Sequence, residues 1–595
     1  MKHFLRDVLV VIIGLVIFSA VAITIGLMGI VGTMASSGSS AGVQDGSVLI
    51  LNLHGTLQDQ ATEASPTDML QGNGEGNPGL TDMLSAVRQA KTCDKIKGIY
   101  IESNDMAMDM SQAQELRDAL VDFKKTGKWI IAYGKDYGTL AYYLASAADK
   151  VYLNPVGELR WQGLTERFPY LTDLLKKVGV SMIPFKCGKY KSATEIFTEE
   201  KMSDPSREQE QGLVGYEWST ILRAVSQSRK ISTADLNAYA DNLMTVEMPQ
   251  TYVKNKLIDG LLYYDEIRDV VKKKLGIDKD KDIPQATVYD MQSLEEDSGG
   301  EEIAVYYASG DIVESAPGQN MLQQKQYIVG DKVCRDLDNL AKDKNVKAVV
   351  LRVNSPGGSA YTSEQLWHAI ELLKKAGKPV VVSMSGCAAS GGYYMSCGAN
   401  YIYAEPMTIT GSIGIFGIIP NATALSQKIG MKFDGVATNR NANFLLDTPF
   451  STFTPEQSRK MQASIDNGYM LFKSRVAKGR KLSMATVEAL AQGHVYTGAD
   501  ALKLKLVDEL GGVDKAVAKA AQLAKLRKYH AEDYPAPKSF IDQLLEQTDN
   551  SKGSLLDERL QSVLGVYYVP FMLMQQVQTM DPIQVRLPYI MMKKK

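Results

Sequence analysis

The chain is poor in the two side chains that most often carry metal or nucleophilic chemistry, with five histidines and five cysteines in 595 residues. His3, His54, His368, His494 and His530 stand singly, and none falls in a segment resembling the partner of a catalytic triad. Cys93, Cys187, Cys334, Cys387 and Cys397 show neither paired spacing nor a CxxC, which excludes a zinc ribbon and a dense disulfide framework. They read most simply as small core residues, with a bridge or redox sensitivity left open for Cys187 and Cys387. Charge of one sign is also missing. The formal net charge is −2, and no basic cluster interrupts the globular region, so nucleic acid is set aside as a partner. Nor does the composition point to disorder, because 45% hydrophobic and 23% charged residues are ordinary for a chain that folds into several domains.

One long stretch lacks charge altogether. From Val8 to Gln44 there is no charged residue, and 8–34 is continuously apolar. About 20 such residues span a bilayer as a helix, whereas the apolar core of a cleavable signal is roughly 7–15. The expectation is an uncleaved anchor over 8–34 behind a short cytoplasmic N-terminus, 1–7. Lys2 and Arg6 precede it, so everything after it is expected on the outer side.

What the chain does have is one domain written twice. Residues 97–128 lie over 347–378 at a constant offset of 250, with eight of 32 positions identical against about two expected by chance. The register then slips by one, so that AYYLASAADKVYLNP (141–155) matches GYYMSCGANYIYAEP (392–406). Short β-branched runs such as VKAVVLRV and KPVVVSM alternate with helical stretches such as SEQLWHAIELLKKAG, which predicts mostly parallel, buried sheets with crossover helices. The expected division is a first repeat over 46–285, a linker over 286–302, a second repeat over 303–530, and a tail over 531–595. The tail, rich in Met and Tyr, reads as packing on its own domain or a neighbouring subunit, or as a surface for membrane or peptide. Residues 60–80, rich in Gly and Pro, read as a long loop.

The copies differ at the residues able to do chemistry. Ser390 sits between Ala389 and two glycines where a buried strand gives way to a helix, and the first copy has Thr139 or Leu140 there. Alone, such a serine is more often a helix cap. Asn354-Ser355-Pro356-Gly357-Gly358 follows the strand VKAVVLRV. Paired glycines there form either a tight turn or a backbone cradle for an oxyanion. The first copy has Ala107 and Met108 instead. Conversely, Lys191 of GKYKSATEIF belongs to the first copy, and the register puts Ala442 at its place in the second. Burial can bring a lysine from about 10.4 toward 7–8, where neutral amine accepts a hydroxyl proton, and Ser–Lys pairs are a variant of triad logic. Lys186 and Lys189 are rivals for that role.

The anchor, the tandem repeats, GKYKSA, NSPGGSA, ASGGYY, TGSIGIFG (410–417) and HVYTGADA (494–501) together resemble the long, duplicated form of the signal peptide peptidase A (protease IV) family. The resemblance covers roughly 46–530 plus the anchor. It implies an α/β, Clp-protease/crotonase-like fold in each repeat. It also implies a serine endopeptidase, in which Ser390 is the nucleophile, Lys191 the general base, Gly357 and Gly358 the oxyanion segment, and Ser412 a residue that orients the lysine. Substrates by resemblance are remnant signal peptides and other apolar peptides. A homotetramer at the inner membrane of a bacterium, with extracytoplasmic catalytic domains and no metal or cofactor, is implied likewise. His494 departs from the family, which often has arginine there, and it lies far from both catalytic segments in sequence. The rivals from other classes are an inactive anchored scaffold and acyl-CoA chemistry, the latter disfavoured outside the cytoplasm.

Overall fold

A computed structural model of the chain describes residues 42–62, 76–294, 299–315, 326–446, 448–536 and 583–587. The expected anchor over 8–34 lies outside them, as do 63–75 of the glycine-rich loop, 295–298 of the linker and most of the tail. Among the described residues no helix is long and apolar enough to cross a membrane.

Each copy builds a sheet with a six-strand parallel path in one order, to which the second copy adds Ile409–Gly411 and, antiparallel to it, Val495–Thr497. In the first the order is Gly260–Leu261, Lys150–Leu153, Trp129–Gly134, Ile96–Ala107, Ser47–Thr56 and Gln285–Ala286. In the second it is Glu509–Leu510, Tyr401–Ala404, Val380–Ala389, Val346–Ser355, Glu301–Ser309 and Tyr529–Tyr534. All of these neighbours pair in parallel. The sequence explains the arrangement: runs such as Val346–Val353 are buried along almost their whole length, which suits strands covered on both faces by crossover helices.

The helices match as well. Met110–Lys124 corresponds to Ala360–Lys375, and Asp204–Arg229 to Pro455–Arg480, each of the latter pair 26 residues long. Ser203 and Thr454 start these long helices by accepting hydrogen bonds from the Ser206 and Gln457 amides, with a proline in the first turn of both. Replacing either cap with alanine is worth about 1 kcal/mol. The helix Val288–Gln292 falls within the stretch expected to link the copies.

One core runs through both copies. Ala113 and Leu116 of the first helix pair, Val350 and Val381 of the second sheet, and Ala516 and Ala520 of the helix Val513–Leu523 belong to a single buried cluster. A buried ion group lies across the same boundary. The Arg352 guanidinium donates to Asp59 at 2.9 Å and to Glu115 at 2.8 Å, both from the first copy, and to Ser383 beside it at 2.9 Å. Burial works against that charge, but Glu115 and Asp59 outweigh it and hold its pKa above the ordinary value.

A third, mixed sheet belongs to neither copy alone. Its order is Tyr327–Val329, Asp311–Val313, Gly357–Ser359, Ile583–Arg586, Ile415–Asn421 and Ser181–Cys187. Ser181–Cys187 comes from the first copy and pairs antiparallel with Ile415–Asn421 of the second over its full length. That crossing brings the segment after Cys187 to the end of the second copy's sheet.

Candidate active site between the copies

Strand Val380–Ala389 is buried throughout and hands over to a short helix, Gly391–Ser396. The single residue between them is Ser390, held at φ +53°. A positive φ is costly for a residue with a Cβ, and such strain persists where the surroundings over-determine it. Here the Ser390 amide donates to the Gly411 carbonyl at 2.8 Å and its carbonyl accepts from the Tyr394 amide at 2.7 Å. Ser412, the next residue on that neighbouring strand end, is also at positive φ, +49°.

Lys191 reaches this point from the first copy. Its Nζ lies 2.8 Å from Ser390 Oγ, 2.9 Å from Ser412 Oγ and 3.2 Å from the Ser412 carbonyl oxygen. All three residues are fully buried. Burial alone lowers the lysine pKa well below its ordinary value, since no charged neighbour contributes. A neutral amine has two N–H donors and one lone pair. The two Ser412 oxygens can take the donors, which leaves the lone pair for the Ser390 hydroxyl proton. Lys186 is half-buried and Lys189 exposed, so neither sequence rival shares this environment.

Gly357 and Gly358 stand beside the serine. Gly357 has φ +103°, and a Cβ there would come within 2.1 Å of the Val585 carbonyl oxygen and 2.7 Å of the Gly391 amide nitrogen. Only glycine lets the two backbones approach so closely. The Gly357 amide donates to Ser355 Oγ at 3.2 Å. Gly358 sits in sheet register opposite Val585 on one side and Ile312 on the other.

Three features of the site escape sequence reasoning. The segment 492–494, far away in the chain, backs the lysine directly. Tyr190 donates to the Gln492 carbonyl at 2.9 Å, Ser412 to the His494 carbonyl at 2.7 Å, and a Cβ on Gly493 would meet Lys191 Cβ at 2.8 Å. The distance of His494 from the catalytic segments in sequence therefore does not hold in space. The second feature is Asn354, which accepts from the Cys387 amide at 3.1 Å and donates to Asp109 of the first copy at 3.0 Å, tying the nucleophile strand across the interface. The third is the seat of the tail, which the sequence leaves open between its own domain and a neighbouring subunit: Ile583–Arg586 pairs with Gly357–Ser359.

The five cysteines are free, and burial pushes the Cys387 thiol up, so it behaves as an inert core residue. His368 is exposed on its helix. Among the described residues no group of three or more His, Cys, Asp or Glu side chains is arranged to hold a metal ion.

A buried serine on a strand-to-helix turn faces a buried lysine, an arrangement in which a neutral amine can accept a hydroxyl proton. Residues 122–278 and 372–527 each match Peptidase family S49, and the chain belongs to that family of serine peptidases. It is 38% identical over 521 residues to "Protease 4" of Salmonella typhi, spanning 86% of this chain and 81% of the relative. It is 35% identical to "Protease 4" of Haemophilus influenzae, spanning 88% and 86%. It is 29% identical to "Serine protease SPPA, chloroplastic" of Arabidopsis thaliana, spanning 92% and 78%. The duplicated matches and the length of these alignments agree with the tandem signal peptide peptidase A form.

Proposed function

We propose that the chain is a serine endopeptidase working through a Ser390/Lys191 dyad assembled from both copies. The observation that supports it most is the 2.8 Å approach of Lys191 Nζ to Ser390 Oγ with both groups out of water. Neutral Lys191 accepts the hydroxyl proton as Ser390 Oγ attacks a peptide carbonyl. The oxyanion is held by the segment of Gly357 and Gly358, where the Gly357 amide turns from Ser355 Oγ, its 3.2 Å acceptor, to the developing charge. Such donors are each worth about 10²–10³ in rate. Lys191, now protonated, passes its proton to the leaving amine, and water activated by the same amine then releases the acyl-enzyme. Ser412 acts as a positioning residue that fixes the lone pair toward Ser390.

The substrates proposed are remnant signal peptides and other apolar peptides, presented to an enzyme anchored through 8–34 with its catalytic domains outside the cytoplasm. A homotetramer remains part of this reading by resemblance. Cleavage of a fluorogenic apolar peptide by the parent protein, Ser390→Ala and Lys191→Ala tests it. Loss in both variants is the expected result, and turnover persisting in Lys191→Ala would move the base elsewhere.

A further inference from the structure

Three consecutive residues hold the lysine turn from behind. The Gln492 carbonyl accepts from the Tyr190 amide at 2.9 Å, the Gly493 amide donates to the Ile413 carbonyl at 2.9 Å, and the His494 carbonyl accepts from the Ser412 amide at 2.7 Å. One short segment thus fixes both the turn that carries Lys191 and the strand end that carries Ser412. The fit is close on the lysine side. A Cβ on Gly188 would meet the Gln492 carbonyl carbon at 2.3 Å, and a Cβ on Gly493 would meet the Lys191 amide nitrogen at 2.7 Å. The His494 ring stacks on Tyr496 at 4.4 Å and meets Tyr190 edge-on at 4.3 Å.

Gln492 itself stands at φ +58°, just past the helix Met484–Leu490. Other helices of the chain stop on a residue of this kind, but Lys230 and Lys481 return their amides to their own helices, at the Ser226 and Ala477 carbonyls. The Gln492 amide instead donates to Tyr469 Oη at 3.1 Å, and its side-chain amide donates to Glu488. Tyr469 and Lys473 lie one turn apart on the helix Pro455–Arg480, both buried. Lys473 pairs with the Glu488 carboxylate and sits 4.2 Å over the Tyr469 ring. A left-handed backbone is costly for a residue with a Cβ, and bonds at the amide, the carbonyl and the side chain hold Gln492 in it.

Resting on the peptidase reading above, we propose that Tyr469 and Gln492 are positioning residues of the dyad. They press the Gln492–His494 backbone against Lys191 and Ser412, which keeps the amine aimed at Ser390 and shut away from water. Burial alone lowers the lysine pKa, so water admitted behind the turn raises it again.

The test uses the full chain as parent, Tyr469→Phe and Gln492→Gly. The first variant deletes the hydroxyl that receives the Gln492 amide and keeps the ring beneath Lys473. The second removes the side-chain clamp and relieves the positive φ. Cleavage of a fluorogenic apolar peptide gives kcat and KM, acylation of Ser390 by a small serine-directed probe is followed from pH 6 to 10, and Tm is recorded. His494, which burial lowers from 6.5, and Tyr469, which burial raises to about 12, titrate outside the range in which the lysine is read. In both variants kcat should fall about tenfold with KM within about twofold of the parent, and the acylation midpoint should move up by about half a pH unit or more. Gln492→Gly should still melt within about 2 °C of the parent, so that activity and stability part company. A midpoint unmoved in both variants overturns the proposal whatever happens to Tm, because a clamp that serves only the fold leaves the lysine of the folded molecules unchanged. A parent chain that neither cleaves the peptide nor acylates at Ser390 removes the peptidase reading, and the positioning role falls with it.

Discussion

The two copies wind the same parallel sheet in the same strand order, yet they end it differently. In the first copy the central strand is Trp129–Gly134, and its chain turns away before the helix Thr139–Ala145. In the second the equivalent strand runs Val380–Ala389, ten residues against six, and the extension pairs with Ile409–Gly411 and carries Ser390 at its tip. The glycine loop before the next helix shows the same divergence. Ser359 caps Ala360–Lys375 after Gly357 and Gly358, while Asp109, its counterpart, follows Ala107 and Met108 and points at the partner copy. A Cβ on Gly386 would come within 2.2 Å of the Asp109 carboxylate. Where the second copy has the glycine loop, the first copy packs Asp109 against the strand that ends at Ser390.

The lysine end diverges in the opposite direction. The first copy keeps the strand Ser181–Cys187 that delivers Lys191, whereas 432–438 at the corresponding place in the second copy forms no strand and is exposed. On the proposed dyad, the interface between the copies is a requirement for activity as well as for stability.

The comparison is broken most severely at the lysine. Lys191→Ala is expected to lower kcat by on the order of 10³ or more, and adding Ala442→Lys should restore nothing, because position 442 is an exposed turn where a lysine keeps its charge. Recovery of turnover in the double variant would mean the copies are interchangeable. Next comes the interface. Arg352→Ala leaves Asp59 and Glu115 buried together without their cation, which costs about 3–5 kcal/mol. A urea midpoint within experimental error of the parent would contradict that.

A smaller effect separates the two loops. Gly357→Ala forces a side chain onto a backbone at φ +103° and against the Val585 carbonyl, and kcat/KM should fall about 100-fold. Ala107→Gly at the corresponding place in the first copy should change turnover by less than about twofold, since that loop carries no oxyanion. Steady-state kinetics on both variants decides it.

The mildest prediction concerns pH. Burial, then Glu115 and Asp118 of the first copy, push the Glu405 carboxyl up to about 8. A raised carboxyl pKa favours the fold below the ordinary value of 4.5, and that contribution is lost as pH rises through about 8. Between pH 6 and 9 the parent Tm should therefore fall by a few degrees more than that of Glu405→Gln. Parallel curves would place the charge elsewhere.

Much of this was legible before any coordinates. The alternation of β-branched runs with helical stretches gives the parallel sheets, and the offset between copies isolates Ser390, Lys191 and the glycine pair as residues present in only one of them. Ser412 came from family resemblance, because nothing local marks a serine in TGSIG as a lysine partner. The Gln492–His494 backing of Lys191 stayed hidden since periodicity reports which face of an element is buried and says nothing of which distant loop covers it. Arg352 and Asn354 escaped for a related reason: a polar residue in an apolar strand becomes meaningful only when Asp59, Glu115 and Asp109 are seen to meet it. The strand Ile583–Arg586 is too short for a pattern of its own, and its pairing depends on a groove made by both copies.

The most direct measurement is the rate at which a small serine-directed probe acylates Ser390 between pH 6 and 10, in the parent chain and in Lys191→Met. The parent rate should climb to a plateau with a midpoint well below the ordinary lysine value of 10.5, as Lys191 loses its proton. The variant should react on the order of 10³ times more slowly and without that midpoint. Equal acylation of the two proteins across the range would contradict a site shared between the copies.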